Sequence, residues 1–136
     1  METIEMDPEQ WDRLKAAIGD VLYGKLVVRT GHGPFDGGCV IVARALQRAV
    51  GGELVVLTGA CGHAEHAALF LNDMLIDFDG PLEPPAFIHR FNANESASAF
   101  EFRPITSNDL TEACVDAELE ESFAALIVAS LARLSR

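Results

Sequence analysis

Apolar residues recur in this chain with two periods, and the change from one to the other marks out its elements. Trp11, Leu14, Ile18 and Leu22 fall three or four residues apart, one buried stripe of a helix. Asp7-Pro8-Glu9-Gln10 ahead of them supplies a cap, a proline suited to the first turn and a glutamine at the capping-box return position. The spacing ends this helix at Gly24, with Leu26-Val27-Val28 as a short strand or a last extension. Thr30 to Gly38, rich in glycine, holds neither period and is a loop. Val40 to Val50 is an apolar run, a buried helix with Arg44, Gln47 and Arg48 reaching water, and Gly51-Gly52 stops it.

Beyond that point the chain is rich in β-formers. Glu53 to Thr58 reads as a central strand, and His66 to Leu71 with Met74 to Asp79 as two strands joined by the turn Asn72-Asp73. Gly80-Pro81 ends the second of these. Pro81 to Ser98 is a long excursion with one helical turn near Phe87 to Phe91, and Phe100 to Ile105 alternates as a strand that Pro104 places at an edge or an end. After Ser107-Asn108-Asp109 a helical tail carries Leu119, Phe123, Leu126, Ile127, Leu131 and Leu134 on its apolar face. Its early acids Glu112, Asp116, Glu118, Glu120 and Glu121 read as a solvated face, at the end where a helix dipole tolerates negative charge. The expected fold class is α+β: an antiparallel sheet packed against a helix that begins at Cys39 and against flanking helices, in one domain spanning 1–136.

Composition narrows what such a domain does. Ten basic residues against twenty-one acidic ones give a formal charge of −11, which repels phosphate backbones, so nucleic acid is not an expected partner. No apolar run approaches the roughly 20 residues that span a bilayer, and Met1 to Asp7 lacks the basic and apolar regions of a signal peptide. A cytoplasmic protein without membrane contact is expected. Cys39, Cys61 and Cys114 are odd in number and widely spread, so at least one thiol is free.

Chemistry concentrates at Gly37-Gly38-Cys39. A thiol where a loop becomes a helix meets the exposed N–H groups and positive dipole end of a first turn, which favour the thiolate, and a nearby imidazolium favours it further. Pairing the hairpin across Asn72-Asp73 sets Leu71 against Met74, Phe70 against Leu75, Ala68 against Asp77 and His66 against Asp79. His66, Asp77 and Asp79 then share one face, with Asp79 the direct neighbour of His66 and Asp77 the diagonal one. Either carboxylate suits the role of orienting the imidazole and stabilising its cation.

These pieces resemble the papain-like and transglutaminase-like cysteine peptidase superfamily in its compact bacterial form. Gly37-Gly38-Cys39 matches its helix start, His66-Ala67-Ala68-Leu69 its strand beginning with histidine, and Asp77-Phe78-Asp79-Gly80 its strand ending in Asp-x-x-Gly, in the same order. The resemblance implies a papain-like core with Cys39 as nucleophile, His66 as general base and Asp77 as the orienting acid, whereas the strand pairing favours Asp79. It implies a cysteine-dependent hydrolase or acyl-transferase acting on a peptide or small amide substrate, with no cofactor. The papain branch takes an oxyanion donor from an upstream glutamine, and Gln10 and Gln47 are not so placed. The Cys39 N–H with a second donor from the Thr30 to Gly38 loop, His32 among the choices, would fill that role.

Two other readings use the same residues. Cys61-Gly62-His63-Ala64-Glu65-His66 groups zinc-type donors, with Cys39 or Cys114 to complete four. Alternatively Cys39 is a core thiol, as cysteines on helices commonly are, and the domain is a binding or immunity-type module. Cys61 and Cys114 read as core or incidental thiols, and His63 and His89 as surface residues.

Overall fold

A computed structural model describes residues 7–134, apart from the side chain of Glu112; the leader reading at the N-terminus falls on residues 1–6, outside that range. The helices are α1 (Pro8–Thr30), α2 (Cys39–Val50), α3 (Pro84–Glu95), α4 (Ser107–Glu112) and α5 (Ala117–Leu134), and the strands β1 (Glu53–Thr58), β2 (Ala64–Leu71), β3 (Met74–Asp77), β4 (Gly80–Leu82) and β5 (Glu101–Pro104). All strand pairs are antiparallel, in the order β4-β3-β2-β1-β5. The fold is α+β, with an antiparallel sheet between helices, as the alternation of periods predicts. β1 lies between two partners, and β5 with Pro104 closes one edge.

The first helix is longer than its spacing suggests. Asp7 and Gln10 form the expected capping box, but Gly24 does not end α1 and Leu26-Val27-Val28 is not a strand. Leu26 continues the stripe one turn beyond Leu22 and is buried, while a side chain at Gly24 would meet open space. One outward glycine costs a helix only about 1 kcal/mol, less than burying Leu26 returns. The helix ends instead at Gly31, left-handed with φ 77°, whose N–H donates to the Val27 carbonyl.

The hairpin turn is as expected: Asn72 and Asp73 have φ of 52° and 64°, the left-handed pair of a two-residue turn. Leu71 faces Met74 and Phe70 faces Leu75, but the pairs recorded between β2 and β3 stop at Leu69 and Ile76. The expected pairing of His66 with Asp79 does not form. After Asp77 the chain turns back through Phe78-Asp79 into β4, with Asp77 opposite Gly80, so the Gly80-Pro81 pair opens a strand rather than closing one. β2 therefore runs on past β3 at its beginning, with β1 alone paired to Ala67 and His66.

Three further readings change. The excursion after Pro81 holds a full helix, α3, which Pro84 and Pro85 begin instead of preventing. The tail is two helices: a Thr106–Asp109 capping box starts α4, and Asp116 accepts the Leu119 N–H at the head of α5. The acids there are not all solvated, because Glu120 is fully buried against Arg44 of α2.

Alternation along the strands divides the core. Leu69, Ile76 and Phe78 pack with α1, α2 and α5, and Val56 and Ala67 with Val40 and Ala43 of α2. Val55, Leu57, Ala68 and Leu75 pack with Phe87 and Phe91 of α3 on the opposite face. Among the described residues no helix is long and apolar enough to cross a membrane.

Candidate active site

Cys39 is the first residue of α2, and the two glycines before it are required by space. Gly37 has φ 122°, and a Cβ there would stand 2.8 Å from the His32 ring; at Gly38 it would stand 2.7 Å from the Gly33 carbonyl and 2.8 Å from Leu26. Gly38 N–H donates to that same carbonyl at 2.9 Å, and Asp36 accepts from Gly33 N–H, folding the loop 31–38 tightly onto the helix end. A thiol is thereby held at the helix tip, half-buried.

His66 arrives from the other side of the sheet. By alternation it belongs to the α3 face, where its ring stacks on Phe91 at 4.7 Å between centroids and on Phe35 of the loop at 5.3 Å. The thiol and the imidazole meet at the margin of β2 that β3 leaves uncovered. Cys39 makes its contacts there, with the His66 side chain and the Ala67 backbone. Burial opposes a charged thiolate, but the His66 hydrogen bond and charge, with the N–H groups of Ala67 and Val40, outweigh it and lower the Cys39 pKa from its ordinary 9.0.

His66 Nε2 lies 2.8 Å from Asp77 Oδ2, which leaves Nδ1 for the thiol. Burial alone would lower the imidazole pKa; hydrogen bonds to Asp77 and Cys39 and their charges raise it instead, from 6.5 to about 9. The two shifts act in the same sense, each favouring the thiolate–imidazolium form of the pair. Asp77 is buried, and its other oxygen accepts the Asp79 N–H at 2.8 Å and faces Arg90 Nη2 at 3.3 Å.

Of the two candidate acids, then, Asp77 holds the imidazole. The diagonal position wins because β3 ends there, and the bend after it carries Asp79 outward to Lys15 of α1, 2.9 Å away. That bend is gripped from α1: Trp11 Nε1 donates to the Phe78 carbonyl at 2.9 Å, and its ring lies so close to Gly80 that a Cβ there would come within 2.3 Å.

The thiol opens on a cleft of about 980 Å³ that runs between the start of β2, β5 and α4. His32 lines it beside Gly37 and Cys39. On the far wall Arg103 forks both oxygens of Asp109, at 2.8 and 3.1 Å, and holds that carboxyl far below the carboxylate range. Cys114 and His63 also line the cleft, while Cys61 is exposed and not a core thiol. The donors of the zinc reading do not converge: among the described residues no three His, Cys, Asp or Glu side chains are grouped to hold a metal.

Sequence reading missed Phe35, Phe91, Arg90 and Trp11 as supports of this site. Phe35 was legible as the lone large apolar residue in a glycine-rich loop. Arg90, three residues after Phe87 and one before Phe91, follows only once α3 is recognised as a helix. Comparison with protein-family models, curated proteins and solved structures finds no match to this chain.

Proposed function

We propose that this protein is a cysteine-dependent hydrolase or acyl-transferase of the cytoplasm, built on a papain-like core and acting on an amide or peptide bond of a peptide or small amide substrate. The observation that carries the reading is the chain of hydrogen bonds from Cys39 to His66 to Asp77, opening on a cleft. In the reaction, His66 holds the Cys39 proton and the thiolate attacks the carbonyl carbon. The carbon–sulfur bond forms as the carbonyl π pair moves onto oxygen. The N–H of Cys39, at the first turn of α2 where a helix has no partner of its own to offer, faces that oxyanion with a second donor from the loop around His32. Collapse expels the amine, which takes its proton from His66, and leaves a thioester. Water or a second amine, deprotonated by His66, resolves it and returns the thiol. Asp77 keeps the ring in place and stabilises its cation throughout.

Alkylation by iodoacetamide at about pH 6 tests the reading, since an ordinary thiol with a pKa near 8.5 is almost wholly protonated there. Rapid modification confined to Cys39, absent in a folded Cys39→Ala variant, is the expected result. Equal labelling of that variant would remove Cys39 from the mechanism.

A further inference from the structure

Arg90 of α3 is not part of the three-residue relay, yet it touches both the carboxylate and the backbone that follows it. Its Nη2 donates to the Gly80 carbonyl at 2.7 Å and faces Asp77 Oδ1 at 3.3 Å, and its Nη1 donates to the Asp79 carbonyl at 3.2 Å. The guanidinium also lies 5.1 Å from the centroid of Phe87, whose ring is itself 6.4 Å from His66. One planar group thus spans the carboxylate and the Asp79 and Gly80 carbonyls that follow it, while Trp11 holds the Phe78 carbonyl between them. A fork of this shape holds geometry in a way that a point charge does not.

We propose that Arg90 is a positioning residue that acts through Asp77, fixing the carboxylate against His66 by its hydrogen bonds and not by its charge. The inference rests on the assignment of Cys39, His66 and Asp77 above. Position and charge act on His66 with opposite signs. A cation beside Asp77 repels the imidazolium, so loss of its charge alone raises the His66 pKa; loss of its grip frees Asp77 to turn away and lowers it. Other titratable groups stand nearby, and His32 of the loop with His63 and Glu65 at the start of β2 line the cleft beside Cys39 and His66. Cys39 of α2 faces the ring directly, Lys15 of α1 is paired with Asp79, and in the loop Asp36 is bound to Gly33.

The test is the titration midpoint of the His66 ring in the full chain, followed by NMR with labelled histidine, in wild type, Arg90→Gln and Arg90→Lys. Arg90→Gln is expected to lower the midpoint by about one pH unit, and Arg90→Lys, which keeps the charge but not the fork, by about half as much. A midpoint unchanged or raised in Arg90→Gln overturns the proposal. If that variant does not fold, Arg90→Lys decides: a lowered midpoint supports the proposal, and an unchanged or raised one overturns it. Iodoacetamide labelling of the same samples separates the two claims. A sluggish Cys39 with a His66 midpoint that still falls removes the enzyme reading alone, and a reactive Cys39 with an unmoved midpoint removes the role of Arg90 alone.

Discussion

Asp77 and Glu120 are both buried carboxylates, 4% and 0% exposed, yet their surroundings ask different things of them. Glu120 Oε2 accepts the Asp116 N–H at 3.1 Å, and Oε1 sits 2.9 Å from Arg44 Nε and 3.7 Å from Arg48 Nη2. Close as Arg44 is, Oε1 receives no well-directed hydrogen bond among the described residues. The carboxylate ties α5 to the outer side of α2 by charge, with geometry left loose. Asp77 has directed donors on both oxygens, and one of them is the ring that faces the thiol. An anchor tolerates slack because only its attraction matters. An orienting acid does not, because a small rotation changes which atom the imidazole meets.

The largest effect that would sharpen this contrast is on thiol reactivity. Asp77→Asn is expected to slow Cys39 alkylation at about pH 6 by roughly 100-fold, while Asp79→Asn, altering only the pair with Lys15, stays within about threefold. Equal losses in the two variants would break the distinction between the acids. Glu120→Ala should behave in the opposite way. Removing one partner of a buried pair leaves the other uncompensated, and with Arg44 partly exposed a loss of about 2 kcal/mol is expected in urea unfolding, with alkylation unchanged.

The pH dependence of stability separates the site from the anchor more finely. The raised His66 contributes stability that is fully present below its ordinary 6.5 and lost as pH rises through about 9. The lowered Cys39 contributes stability that is present above its ordinary 9.0 and lost as pH falls through its folded value. Where the two intervals overlap, below about pH 9, the slopes oppose each other, so the wild-type urea midpoint should change little with pH there. Cys39→Ser removes the thiol slope and, with it, the Cys39 hydrogen bond and charge that help to raise His66, so the histidine slope that remains, held up by Asp77 alone, should move to lower pH; a response that tracks the wild type at every pH would contradict the coupling. Smallest of all, Gly24→Ala, where an added Cβ meets no atom within 4 Å, should stabilise by about 0.5–1 kcal/mol in urea.

Much of this was legible in the sequence because periodicity reports which face is buried. The stripe from Trp11 to Leu22, the helix beginning at Cys39 and the Asn72-Asp73 turn follow from local pattern, and with them the nearness of His66 to a carboxylate. Where local signals competed with packing, packing won: Leu26 carried α1 through Gly24, and Phe87 and Phe91 carried α3 out of a proline pair. The choice between Asp77 and Asp79 was not legible, since it depends on where β3 stops. That is set by Trp11, Gly80 and Arg90, residues distant in sequence that meet only in the folded chain. Charge patterning misjudged Glu120 for a similar reason, as its partner Arg44 lies on another helix.

The brevity of β3 has a consequence for how this scaffold tolerates change. Were the β2–β3 ladder carried three pairs further, to Asp77 with Ala68, Phe78 with Ala67 and Asp79 with His66, the backbone of β3 would cover the stretch of β2 where sulfur and ring now touch, and the two would be walled off on opposite sides of a continuous sheet. Cys39, His66 and Asp77 could all survive such a change unaltered while the passage between them closed. A longer β3 would therefore part the thiol from the imidazole without replacing either residue.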